Sequence, residues 1–316
     1  MFLRTLGLSI LVTLSLALPV AASATERRAA VAMPDRWSAQ VAQQVIQSGG
    51  NAVDAAVAAA FVLAVTYPEA GNIGGGGFMT SYMAGQAAFL DFRELAPAAA
   101  YRDMYLDEGG NFQSRRSRVG GMASGVPGTV AGLAEAHKRY GSLPWKRLVQ
   151  PAIDLAREGF PVPGELAQLA TESAVDFGED TNFSDYFGDL REGQRLVQAE
   201  LAATLALIAD APLNFYQGLP ARQLVAQMRV SGGIITAEDL ANYRPVWREP
   251  LRKSWRDIEV LSAPPPSSGG IALLQLLGMR DFAAPAFKGV WHNGPRYVHL
   301  LAELEKRVFA DRAEYL

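Results

Sequence analysis

Asn51-Ala52-Val53-Asp54-Ala55-Ala56-Val57-Ala58 opens an apolar run that reaches Val65, and Gly71-Asn72-Ile73-Gly74-Gly75-Gly76-Gly77-Phe78-Met79 follows it closely. Asn51 is a favoured N-cap, and Asp54, three residues on, makes a near capping box, so a helix is predicted over 52–65. Apolar residues cover that helix almost all round, which is the pattern of a buried helix. Its alanines allow close approach of another backbone, and Pro68 ends it. Upstream, Asp35 is placed to cap a first helix. Trp37, Val41 and Val45 recur there at helical spacing, and Gly49-Gly50 closes it. Downstream, the glycines lead into a strand over 78–83. After a turn at Ala84-Gly85-Gln86, a second strand runs from Ala87 to Phe92, giving a hairpin entered through a glycine loop.

The chain has 316 residues, 49% of them hydrophobic and 19% charged, a composition of globular protein with a sizeable core. A net charge of -3 argues against a nucleic-acid or anionic-membrane surface, which needs clustered positive charge. With no cysteine there is no disulfide, thiolate nucleophile or Cys-ligated metal. Residues 1–24 read as a secretory signal peptide: Arg4 is the positive start, Thr5 to Val20 the apolar stretch, and Ala22-Ser23-Ala24 the cleavage site. The apolar stretch is shorter than the roughly 20 residues of a spanning helix. A periplasmic or secreted product is expected, free of the membrane after cleavage.

Beyond the hairpin, helices are predicted over 127–140, 143–158, 199–211, 219–229 and 271–282, and strand character over 251–261. Glu172 to Asp189 is acidic, aromatic and aperiodic and reads as a surface loop. Tyr297, Leu301, Leu304 and Val308 mark a last helix that carries on to the final residues, a cue that sequence is missing beyond them.

The three histidines, His137, His292 and His299, lack ligand spacing, so no metal is expected; no cofactor is expected either. The Gly74 to Gly77 run lacks the G-K-[ST] ending of a phosphate loop, and it precedes a strand rather than a helix. It reads as a tight turn, or as amides lining a pocket. No G-x-S-x-G occurs. Ser124 and Ser267-Ser268 have no base beside them, and the latter pair reads as a helix cap. Asp91-Phe92-Arg93-Glu94, at a strand end, is more suggestive. Such charges can orient a zwitterionic ligand, because a guanidinium grips a carboxylate through two parallel hydrogen bonds. The competing reading is a local salt-bridge cluster.

Ser48 to Ala58, Ala70 to Met79 and Asp91-Phe92-Arg93-Glu94-Leu95-Ala96-Pro97 resemble blocks of the gamma-glutamyltranspeptidase family. So do Gly125-Val126-Pro127-Gly128-Thr129-Val130-Ala131-Gly132, Gly232 to Leu240, Pro264 to Gly270 and Ala310-Asp311-Arg312-Ala313-Glu314-Tyr315-Leu316. The resemblance runs from about Ala29 to the last residue. It implies an α+β, N-terminal nucleophile hydrolase fold, a four-layer αββα sandwich that is incomplete in this chain. It implies a proenzyme that cuts itself, whose newly exposed N-terminal Thr attacks a gamma-glutamyl amide and passes the glutamyl group to water or an amino acid. Glutathione is the implied donor, and the small subunit of the same proenzyme the implied partner. Arg93 matches the family arginine that binds the glutamyl α-carboxylate; Glu94 is placed to orient it or to meet the α-amino group.

In the family the nucleophilic Thr lies beyond the Ala310 to Leu316 block. Residues 25–316 are therefore expected to be a large-subunit region, truncated before the small subunit, with no catalytic nucleophile of its own and no activity alone. Two other readings are a noncatalytic gamma-glutamyl-binding or partner subunit, and a family acylase acting on cephalosporin side chains or poly-gamma-glutamate.

Overall fold

The computed structural model describes residues 29–177 and 181–316; the signal peptide read over 1–24 lies outside the described residues. Helix α1 (Arg36–Gln47) starts where Asp35 accepts the Ser38 amide at 2.7 Å. Helix α2 (Ala52–Thr66) starts with the full capping box: the Asn51 side chain takes the Val53 and Asp54 amides, and Asp54 takes the Asn51 amide. At the far end of α2 the Thr66 hydroxyl donates to Asp35 at 2.5 Å, tying the start of α1 to the end of α2. The two helices therefore form an antiparallel pair. Val57, Ala58, Phe61, Val62 and Val65 have no exposed surface, so α2 is the axis of the core. Burying a side chain such as Phe61 stabilises the fold by about 1.5–3 kcal/mol.

Strands β1 (Phe78–Met83) and β2 (Gln86–Asp91) pair antiparallel, with Phe78 opposite Asp91 and Met83 opposite Gln86. Ala84 and Gly85 both have positive φ, the requirement of a two-residue turn between twisted strands. Helices α3 (Thr129–Tyr140) and α4 (Trp145–Glu158) then return to the core, with α4 packing on α2 and α3 on β2. The hydrophobic pattern predicts both, with starts within about two residues, the usual uncertainty of helix ends.

The acidic stretch 172–189 departs from expectation. It holds the end of helix α5 (Gly164–Phe177) and the short α6 (Phe183–Phe187) rather than a loop. Only Leu166 and Ala170 of α5 are buried, which leaves little periodic signal; Phe177, Phe183 and Phe187 instead pack ring to ring at 5.1 and 5.4 Å. The short strands β3 (Phe160–Pro161) and β4 (Arg195–Leu196) bracket this excursion and pair with each other. Helices α7 (Ala199–Asp210), α8 (Asn214–Gln217), α9 (Leu219–Val230) and α10 (Ala237–Asn242) follow, with α7 against α4.

Strand β5 (Val246–Arg248) then adds to β2 and completes a sheet of order β1-β2-β5. The run 251–261, where strand character is expected, is a hairpin of β6 (Leu251–Trp255) and β7 (Ile258–Ser262). Its turn uses Arg256 at φ 55°, a conformation that only Gly, Asn or Asp would have signalled. Helices α11 (Gly269–Phe282) and α12 (Pro295–Tyr315) pack on each other, with only Gly270 and Val308 buried. Helices α1–α4 and α7 thus form the core beside the three-stranded sheet, an α+β arrangement as expected. β1 turns Met79 and Met83 to the core and leaves Phe78 and Tyr82 exposed.

Candidate functional site

Phe92-Arg93-Glu94 emerges from the end of β2, and its surroundings sort the charges there. Asp91 is buried, and its Oδ2 receives both Nε and Nη2 of Arg248 at 2.9 Å, across the sheet from β5. Its Oδ1 receives the Arg93 amide at 3.1 Å. The competing reading put a salt bridge among neighbours in sequence; Asp91 pairs with Arg248 instead. The exposed Arg93 guanidinium and the exposed Glu94 carboxylate have no hydrogen-bond or ion-pair partner among the described residues. A cation that is not consumed locally remains available to a ligand. Arg248 gave no signal in the sequence, because its strand has three residues and lies between Pro245 and Pro250.

The backbone carrying Arg93 is held from several sides. Gly77 and Phe92 exchange both hydrogen bonds at 3.0 and 3.2 Å, and Leu95 and Val126 do so at 2.8 and 3.2 Å. The Gly75 carbonyl accepts the Gly128 and Thr129 amides at 2.7 and 3.0 Å. Gly76 and Gly128 are glycines for want of room. A Cβ on Gly76 would lie 2.5 Å from the Phe92 carbonyl oxygen and 2.7 Å from the Glu94 nitrogen. One on Gly128 would overlap the Phe92 carbonyl and the Tyr243 hydroxyl. The glycine loop is therefore a packed turn beneath residues 92–94, and the blocks around Gly74 and Gly125 converge on Arg93.

Tyr243, which sequence reasoning passed over, donates its hydroxyl to the Arg93 carbonyl at 2.9 Å. Its ring stacks on Tyr216 with centroids 6.0 Å apart and planes 9° apart. Tyr216 donates to the Pro127 carbonyl at 3.0 Å and accepts the Ala131 amide at 3.1 Å. Burial pushes the Tyr243 phenol above its usual range, with Tyr216, Asp91 and Glu94 adding to the effect, so it is a hydrogen-bond donor at any physiological pH.

The other candidates do not join this cluster. His137 Nε2 lies 2.7 Å from the Leu143 carbonyl, His292 packs beside Tyr297, and His299 lies on α12. No metal-binding group of His, Asp or Glu occurs among the described residues. Ser124 reaches only the Gly120 carbonyl, at 3.5 Å. Ser268 holds the N-cap position of α11, but its hydroxyl makes no cap and instead accepts from Arg312 Nε at 3.0 Å. A cavity of about 800 Å³ is lined by Trp145, Leu213, Tyr216 and Tyr243, and Arg93 is not part of its lining. A smaller one of about 250 Å³, between Leu95, Asp239 and Tyr243, adjoins the Arg93 loop. No described helix is long and apolar enough to cross a membrane. The arrangement offers an unpaired cation and an unpaired carboxylate on a fixed backbone, with no serine or threonine hydroxyl hydrogen-bonded to either among the described residues.

The family model for gamma-glutamyltranspeptidase matches residues 38–316. The chain belongs to the gamma-glutamyltranspeptidase family. A glutathione hydrolase proenzyme of Pseudomonas aeruginosa is 55% identical over 311 residues, covering 96% of this chain and 56% of that protein. One of Escherichia coli is 45% identical, covering 90% and 50%. The chain spans about half the length of these curated relatives. An acylase ACY 1 proenzyme of a Pseudomonas species, strain V22, is 39% identical over 92% of this chain. Among solved structures, a gamma-glutamyltranspeptidase from Pseudomonas nitroreducens complexed with L-DON superposes with a TM-score of 0.90 at 54% identity, covering 92% of this chain and 88% of that one. One from Helicobacter pylori gives 0.86 at 40% identity, covering 90% and 83%. The fold is the N-terminal nucleophile hydrolase fold of the gamma-glutamyltranspeptidases.

Proposed function

We propose that residues 25–316 are the large-subunit, substrate-anchoring part of an exported gamma-glutamyltransferase and glutathione hydrolase. The observation that carries this reading is the Arg93 guanidinium, exposed and without a partner among the described residues, on a backbone held at both its amide and its carbonyl. A two-pronged cation of this kind suits a free α-carboxylate next to a gamma-amide. Glu94 suits the α-amino group of the same glutamyl unit.

In this reading the nucleophile is an N-terminal Thr of the small subunit, in the half of the relatives' length that this chain does not cover. Its hydroxyl attacks the gamma-carbonyl, its own α-amine takes the proton, and the departing amine leaves a gamma-glutamyl enzyme. Water then releases glutamate, or an amino acid's amine takes the glutamyl group. Arg93 keeps the donor in place through both halves of the reaction, so its contribution falls mainly on binding. The chain alone should be inactive. The signal peptide read over 1–24 would send the product to the periplasm or beyond.

The test is release of p-nitroaniline from gamma-glutamyl-p-nitroanilide. The proenzyme that carries this chain is expected to release it after self-cleavage, and this chain alone is not; release by the chain alone would contradict the reading. The acylase relative favours a second reading, with a cephalosporin side chain or poly-gamma-glutamate as the donor. Turnover of those compounds above the glutamyl anilide would favour it.

A further inference from the structure

We infer that Tyr243 and the Asp91–Arg248 pair are positioning residues for the glutamyl carboxylate, acting through the backbone of Arg93; this rests on the reading of Arg93 given above. Arg93 has a long, flexible side chain, and a grip on a carboxylate is only as directional as the backbone it grows from. Both backbone polar groups of this residue are claimed by side chains, the amide by a neighbour two residues away and the carbonyl by a tyrosine 150 residues away. Asp91 Oδ1 takes the amide at 3.1 Å and Tyr243 gives its hydroxyl to the carbonyl at 2.9 Å. Each of those side chains is itself held. Arg248 fixes Asp91 from β5, and Tyr216, anchored on the Pro127 carbonyl, stacks under Tyr243.

A merely structural tyrosine would need no such approach. Here Gly128 gives up its Cβ to admit both the Tyr243 hydroxyl and the Phe92 carbonyl, which brings the phenol onto the backbone of Arg93, whose guanidinium has no partner among the described residues. Tyr243 thus touches the backbone of the residue that meets substrate, and Arg248 acts on that backbone through Asp91. They set where Arg93 starts, and the small rotation their loss allows would reach the guanidinium as a displacement several bonds away.

The experiment uses the full proenzyme carrying this chain, with gamma-glutamyl-p-nitroanilide and its α-carboxamide analogue as donors. Tyr243→Phe keeps the ring and its stack but removes one hydrogen bond. It should raise KM for the carboxylate donor by about three- to tenfold, the worth of one such bond, with kcat within about twofold. Preference for carboxylate over carboxamide should fall by the same factor, and on an Arg93→Lys background Tyr243→Phe should add less than about twofold. Arg248→Lys, which keeps the charge but not the fork, should act in the same direction. Equal losses on both donors, or full additivity with Arg93→Lys, would mean a general structural role and overturn the inference. An Arg93→Lys enzyme whose preference for the carboxylate donor is undiminished would instead remove the reading of Arg93 itself.

Discussion

Replacing Asp54 by Ala should destabilise the protein by about 3 kcal/mol or more, although Asp54 lies far from Arg93 in the sequence. Asp54 has no exposed surface and accepts hydrogen bonds from four donor groups. They come from the Asn51 amide at 2.9 Å, the Ser142 amide at 3.0 Å, the Leu143 amide at 3.3 Å and the Ser142 hydroxyl at 2.5 Å. Alanine leaves three backbone N–H groups without an acceptor, at the start of α2 and in the α3–α4 connection. Each unpaired buried donor costs about 1–3 kcal/mol, and relief of the carboxylate's own desolvation returns part of that. Asp54→Asn keeps one acceptor oxygen and should lose about 1–2 kcal/mol. Trp145, edge-on to Phe61 at 5.4 Å and close to Leu143, gives a fluorescence signal for equilibrium urea unfolding. An Ala variant within about 1 kcal/mol of the parent, or an Asn variant as unstable as the Ala one, would refute this account of the clamp.

Three further outcomes are expected. Burial pushes Asp54 up, but hydrogen bonds from Ser142, Asn51 and Leu143 outweigh it and hold the carboxyl below its usual range; Asp239 behaves alike through Ala98 and Thr236. Both therefore give stability that is present above about pH 3.9 and is lost as pH falls through their lowered folded values. Asp54→Asn should flatten that acid limb in unfolding curves taken between neutral pH and pH 2, and an unchanged limb would count against it. Gly128→Ala should cost about 1–3 kcal/mol by overpacking against Phe92 and Tyr243, and it should also raise the donor KM, read by urea unfolding and by anilide hydrolysis; a neutral effect on both would contradict the close approach. N-terminal sequencing of the exported product should begin at Thr25, and retention of Met1 would remove the cleaved signal.

Much of the fold was legible where local chemistry and burial agree. Asp35, Asn51 and Asp54 marked two helix starts as caps, and the all-round apolar character of 52–65 marked the core axis. The hairpin was legible from its turn and from the glycine loop that leads into it. Helix α5 was missed because its packing is aromatic and shallow, and the β6–β7 turn because Arg256 is not a residue that advertises positive φ. In the site, Arg93 and Glu94 were visible as charges at a strand end, but the choice between ligand binding and a local ion pair was not. The ion pair that Asp91 does make is with Arg248, a partner 157 residues away on a three-residue strand. Tyr243 was invisible for the same reason: what matters is which backbone atom its hydroxyl meets, and no local pattern encodes a contact across 150 residues.

The central claim is that Arg93 anchors the α-carboxylate of a gamma-glutamyl donor. It is tested most directly by Arg93→Lys in the full proenzyme, comparing kcat/KM for gamma-glutamyl-p-nitroanilide and its α-carboxamide analogue. Lysine keeps the charge and loses the two-pronged grip. The carboxylate donor should therefore lose on the order of 1.5–3 kcal/mol, about ten- to a hundredfold and mostly in KM, while the carboxamide donor changes little. Unchanged KM and kcat for the carboxylate donor would remove Arg93 from the site and contradict the account.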